Sequence, residues 1–129
     1  MEFALGAGVL VLPVAMLVLV FPTWIERQSA ARLAAQEAAR AVVLADDCAD
    51  GRRSAALLVE EIAANHELAD GLTLTQPAGC AGELARGAIV TATVTVQMPL
   101  TAIPLIGRAG GFSWTVSHSE RVDQYRSLP

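Results

Sequence analysis

Lysine is absent from this chain: all nine basic residues are arginine, set against 13 acidic residues for a formal charge of -4. With alanine abundant, that choice reads as coding bias and carries no chemistry. Charge of either sign is scarce, at 17% of 129 residues, against roughly 25% in an average soluble domain. A pI near 5.0 leaves no basic footprint for phosphate backbones, which excludes a nucleic-acid partner. Disorder is excluded by the opposite measure, because 53% hydrophobic residues are too many for a chain that cannot form a core. The length allows one domain at most. The scarcity of charge is also local: between Glu2 and Glu26 there is none at all. Without residues 1 to 25, the remaining stretch of about 100 residues has the ordinary polar balance of a small globular domain.

The uncharged run from Phe3 to Ile25 is 23 residues long. As a helix it reaches roughly 34 Å, enough for a hydrocarbon core of about 30 Å. A secretory signal peptide fits poorly, since it needs a basic amino-terminal region, a shorter apolar core and a small-residue cleavage site. Here Glu2 precedes the run and Trp24-Ile25-Glu26-Arg27 closes it. Pro13 and Pro22 lie inside it. Each removes a donor from the helical ladder and crowds the preceding turn, which predicts kinks near Val9 to Pro13 and Val18 to Pro22. Gly6, Gly8, Ala4 and Ala15 add small surfaces for close helix contact. Glu2 has two readings: an interfacial charge favoured by the positive end of the helix dipole, or a carboxylate that must pair with a cation such as the free amino terminus of a neighbouring chain.

Glu26 to Ala45 continues the helical pattern without Gly or Pro. Ala30, Ala31, Ala34, Ala35, Ala38, Ala41, Val42 and Ala45 fall on one arc of about 140°, opposite Glu26, Arg32, Gln36, Glu37 and Arg40. Asp46 to Arg53 reads as a loop. A second helix is predicted over Ser54 to Leu68, with Leu57, Leu58, Ile62 and Leu68 on its apolar side and Gly71 as its stop. Leu72 to Thr75 alternates as a strand, and Gln76 to Gly82 reads as a loop. Ala88 to Met98 is the clearest strand, ended by Pro99. A loop punctuated by Pro104, Gly107, Gly110 and Gly111 follows, then a strand over Phe112 to Ser117 and a charged tail from His118 to Pro129. The fold class is therefore α+β: a long hydrophobic, Ala-rich helix at the amino end and a small head with a second helix and an antiparallel sheet of about three strands. Three regions result: a transmembrane or packed-core helix over 1–25, its amphipathic continuation over 26–47, and the head with its tail over 48–129.

Cys48 and Cys80 are the only cysteines. An anchored, exported head would lie in an oxidising compartment, where such a pair closes; in a reducing one both stay free. Closing a loop of about 33 residues contributes roughly 3 to 4 kcal/mol in the chain-entropy model. No constellation for chemistry stands out. Asp46, Asp47 and Asp50 lack the EF-hand register and its twelfth-position glutamate, and read as a solvated acidic loop. His66 and His118 have no zinc spacing around them. His118 between Ser117 and Ser119 has no nucleophile elbow. Gly107 to Gly111 lacks the lysine and hydroxyl of a phosphate loop, and Trp114 on an alternating strand reads as core. No catalytic residue, metal site or cofactor is expected, and the function reads as mechanical or adhesive.

Glu2-Phe3-Ala4-Leu5, Val11-Leu12-Pro13, the Ala-rich helix and the ending Ser119 to Arg126 resemble the type IV pilin superfamily, and most closely the TadE-like pilins of the Tad (tight adherence) pilus. The resemblance covers most of the chain, and its first 25 residues are the specific part. It implies a basic leader removed by a prepilin peptidase, a subunit held in the cytoplasmic membrane, and an assembly platform that packs its apolar helix into a surface filament with other pilins. It also implies that Glu2 pairs with a neighbour's amino terminus. One departure stands: the family's glutamate is usually fifth in the mature chain and here it is second, so either residues precede Met1 or the cleavage site differs. The residues expected to carry assembly are Glu2, Phe3, Pro13 and Pro22. The expected function is that of a structural subunit, self-associating through its amino-terminal helix for adhesion or a related role. Two alternatives are a minor or priming pilin of the same system and a membrane-anchored extracytoplasmic binding domain that never polymerises.

Overall fold

A computed structural model describes residues 2–68, 71–78, 80, 83–103 and 107–127. Two helices, α1 (Glu2–Leu44) and α2 (Cys48–Asn65), precede three strands, β1 (Leu72–Ala78), β2 (Ile89–Ile103) and β3 (Gly107–Arg121). The strands form one antiparallel sheet in the order β1-β2-β3, with the helices on one face. The α+β class expected from the sequence is the fold observed.

The core follows from side-chain size. Ala30, Ala31, Ala34, Ala35, Ala38, Ala39 and Val42 of α1 are buried against Val90, Ala92, Val94, Val96 and Met98, the alternate residues of β2. A one-carbon side chain on the helix lets its axis come close to the sheet, and the branched residues of β2 fill the gap between them. α2 packs beside α1 through Cys48, Gly51, Ala55, Val59 and Ala63. Leu57, expected on the apolar side, is exposed instead. The small residues take the contact because the two helices meet closely: a Cβ on Gly51 would stand 2.9 Å from the Cα of Val42.

Several boundaries differ from those read off the sequence. α2 begins at Cys48, six residues early, because Asp47 caps it: its Oδ1 accepts from the Asp50 amide at 2.8 Å. The acidic trio is therefore a helix start, with Asp50 also paired to Arg53 at 2.9 Å. α2 stops at Asn65, well before Gly71. Its end is closed when Leu68 donates to the Ala63 carbonyl and Glu67 to that of Ala64, with Glu67 in the left-handed region at φ 54°. β1 runs on through Pro77 to Ala78 by a register shift between Thr75 and Ala78, an irregularity that accommodates proline on an edge strand.

β2 likewise passes through Pro99 to Ile103. β1 pairs with β2 only as far as Val96, and Gly71 accepts the Gln97 amide just beyond. Past that point the missing N–H of Pro99 faces no strand, so the ladder loses nothing. α1 replaces the absent strand: Arg27 Nη1 donates to the Gln97 carbonyl at 2.7 Å and Trp24 Nε1 to that of Pro99 at 2.6 Å. Opposite Pro99, Gly111 is needed for close approach, since a Cβ there would lie 2.8 Å from the Met98 oxygen. Gly107, Gly110 and Gly111 thus belong to β3, not to a loop. β3 also extends to Arg121, so the supposed tail begins inside the sheet. Beyond it Val122 is fully buried, exchanging backbone bonds with Gly87 and Ala88. Arg126 then donates to the last carbonyls of α1, Val43 and Leu44, the latter at 2.7 Å, satisfying acceptors that a helix end leaves open.

Two substitutions test this packing by thermal unfolding. Gly51→Ala is expected to destabilise the head by about 1 to 3 kcal/mol through overpacking, and Glu67→Gly to stabilise it by about 1 kcal/mol by relieving the left-handed backbone.

Candidate assembly surface

The helix that organises the head leaves it as bare apolar surface. One inner stripe, Met16, Val20, Trp24, Arg27, Ala31, recurs at helical spacing and is half-buried or buried; Val20 is only 6% exposed. Residues 3–15, amino-terminal to that stripe, are all exposed, Phe3 at 91%. Leu10, Val14, Leu17, Val18, Phe21 and Ile25 continue the exposure along another side of α1. This is the one helix among the described residues long and apolar enough to cross a membrane.

The expected assembly residues sit as follows. Phe3 projects from the free end. Pro13 and Pro22 are both inside α1, whose helical assignment is unbroken across them. Since neither has an N–H, the carbonyls of Val9 and Val18 lose their usual ladder donors. Glu2 begins α1, but its side chain lies outside the described residues. The structure therefore brings Phe3, Pro13 and Pro22 onto one free rod. Cys48 and Cys80 form a disulfide, with Cα atoms 5.8 Å apart. Cys48 occupies the first turn of α2, not a loop, and both cysteines are buried. The link joins α2 to the segment after β1, and neither cysteine belongs to α1.

Three features of the head were missed in the sequence. Arg27, the first basic residue, is 4% exposed and is clamped to β2; only its position at the end of the apolar run hinted at a special environment. Trp114 lies at the sheet margin, 41% exposed beside Phe112, and not in the core. The outer face of the sheet is a hydroxyl ladder: Thr91 pairs with Ser119 at 2.8 Å, Thr93 with Ser117 at 3.0 Å, and Thr95 with Thr115 at 3.3 Å. The alternation Thr91, Thr93, Thr95 was the available signal.

Among the described residues no group of His, Cys, Asp or Glu gathers that could hold a metal. His66 faces Glu26 at 3.9 Å across a polar cleft between α1 and the end of α2. Comparison with known proteins finds no matching family model, no matching curated protein and no matching solved structure.

Replacing both cysteines, Cys48→Ser with Cys80→Ser, is expected to lower stability by about 3 to 4 kcal/mol. Helix content from α1 should persist in lipid or detergent, because neither cysteine belongs to that helix. Circular dichroism melts of the two forms provide the comparison.

Proposed function

We propose that this chain is a structural pilin of a Tad-type pilus, stored in the membrane by its apolar helix and assembled with copies of itself into a surface filament. The observation that carries the reading is an apolar stretch of α1, residues 3–15, left exposed by the described residues and continuous in one helix with a disulfide-closed head. The chain exposes 8588 Å², about 2,000 Å² more than the roughly 6,500 Å² expected of a compact monomer of its mass. To the exposed surface belong residues 3–15 of α1, an uncharged apolar stretch that water disfavours. Lipid covers it in a membrane. Neighbouring subunits cover it equally well after the subunit leaves the bilayer, and burial of apolar area then holds the filament without covalent links.

The prolines support exchange between these two environments, because backbone acceptors freed at Val9 and Val18 require partners that other helices, side chains or water supply. A prepilin peptidase, an assembly platform and other pilins are the partners this reading brings with it. Glu2 has the role of pairing with the amino terminus of the adjacent subunit.

Purified chain, or material shed from cells, is expected to form thin filaments in negative-stain electron microscopy. Glu2→Ala should abolish surface filaments while the variant still accumulates in the membrane at the wild-type level. Detergent-dispersed monomers alone, with Glu2→Ala indistinguishable from wild type, would instead identify a membrane-anchored head that never polymerises.

A further inference from the structure

The two edges of the sheet are not alike. β1 is short, slips register between Thr75 and Ala78 and carries Pro77; shortness, irregularity and proline all spoil an edge for further pairing. β3 has none of these. It runs 15 residues from Gly107 to Arg121, holds one register against β2 throughout and contains no proline, and the chain has no lysine to guard it. Among the described elements it packs on β2 and α1 alone. Since α1 lies on a face of the sheet, the far edge of β3 is bare.

The aim of the backbone groups along that edge follows from bonds already described. Gln97 donates its N–H to the Gly71 carbonyl and accepts from Arg27, both on the side away from β3. In an antiparallel ladder, directly opposed residues turn their N–H and C=O either toward each other or both away. Ser113, opposite Gln97, therefore points its backbone groups away from β2, and Thr115, Ser117 and Ser119 do the same at period two. Among the described residues no backbone group meets them. Such a row is a template for one more strand.

We infer that this strand is β3 of a second copy, paired antiparallel about a twofold axis at Trp114. Three observations select it. Trp114 is the midpoint of β3, so this register alone pairs the strand over its whole length. The register also keeps like with like on each face: Ser113 meets Thr115 and Gly111 meets Ser117 on the hydroxyl side, while Phe112 meets Val116 on the other. Finally, the sequence sets Arg108 six residues before Trp114 and Glu120 six residues after it, so unlike charges coincide in register at both ends and no two like charges stand opposite. Phe112 and Trp114, each 41% exposed in the single chain, gain cover across the seam. The two β2 strands then lie three strand spacings apart, about 14 Å, which leaves room for two α1 helices of about 10 to 12 Å diameter side by side.

The twofold turns the second copy end for end, so the two α1 rods point opposite ways. Copies so related cannot be anchored in one bilayer with both heads on the same side, nor belong to one shaft whose subunits share a direction. The contact therefore joins heads of two separate filaments. That consequence rests on the pilin reading, whereas the strand pairing does not.

Full-length chain purified in detergent and bearing Trp114→Cys has one free thiol, since Cys48 and Cys80 are joined to each other. Mild oxidation is expected to give a reducible dimer in at least tenfold greater yield than Ser119→Cys, whose copies would stand ten residues apart in this register, about 33 Å. Adding Ser113→Pro to Trp114→Cys should cut the dimer at least tenfold and leave the thermal melt of the head near that of its parent, because the lost N–H faces no strand in the single chain. No dimer at position 114, equal yields at 114 and 119, or a dimer that survives Ser113→Pro in a folded head would overturn the pairing. Should Ser113→Pro fail to fold, the comparison of 114 with 119 decides alone. Filaments without the cross-link would overturn the pairing and leave the pilin reading standing; the cross-link without filaments would do the reverse.

Discussion

The methyl groups of Ala31, Ala34, Ala35 and Ala38 set the distance at which everything else in the head can lie. They bring β2 and α2 close to the axis of α1, and the neighbours respond in kind: Gly51 and Ala55 on α2, Ala92 in the middle of β2. A larger residue at any of these positions would push the layers apart and open the carbonyl contacts made by Arg27 and Trp24. Close packing of small residues contributes little area per side chain, which is why the head also relies on a disulfide and on the carboxy-terminal segment folding back through Val122 and Arg126.

The same helix must serve two solvents. Its carboxy-terminal half is a core element, and residues 3–15 are surface that none of the described residues covers. The transition is made over one inner stripe from Met16 to Ala31, within which Trp24 and Arg27 bond to β2. Arg27 marks that crossing. As the first cation of the chain it is drawn inward to a backbone carbonyl, so the junction between greasy rod and folded head is held by directed hydrogen bonds as well as by packing.

Much of this was legible in the sequence because hydrophobic periodicity records it. The alanine arc of α1 predicted the correct element and, apart from half-buried Ala41 and Ala45, the buried face, and the β-branched run from Ala88 to Met98 predicted a strand. What could not be read were boundaries that depend on distant partners. Pro99 looked like the end of a strand, and becomes harmless because β1 pairs with β2 no further than Val96 and Trp24 arrives from 75 residues away. Gly110 and Gly111 looked like a loop and are strand, and at Gly111 the opposite strand passes too close for a side chain. Leu57 looked like core, and loses its place to smaller residues once α2 is pressed against α1. The groove that Phe21 and Ile25 line together with Phe112 and Trp114 could not be read, since it forms only once the sheet has docked on α1.

The orientation of β2 against α1 has a mechanical consequence. The two run in opposite directions, with Gln97 beside Arg27 and Pro99 beside Trp24, so a pull on the free end of α1 loads the head in shear. Every alanine contact and both carbonyl clamps then share the force together, instead of parting one after another as strands do when peeled. The disulfide, which bridges α2 and the segment beyond β1, lies off this line of load. The head is thus closed by one device and held to its rod by another, and tension applied to the rod need not test the closure.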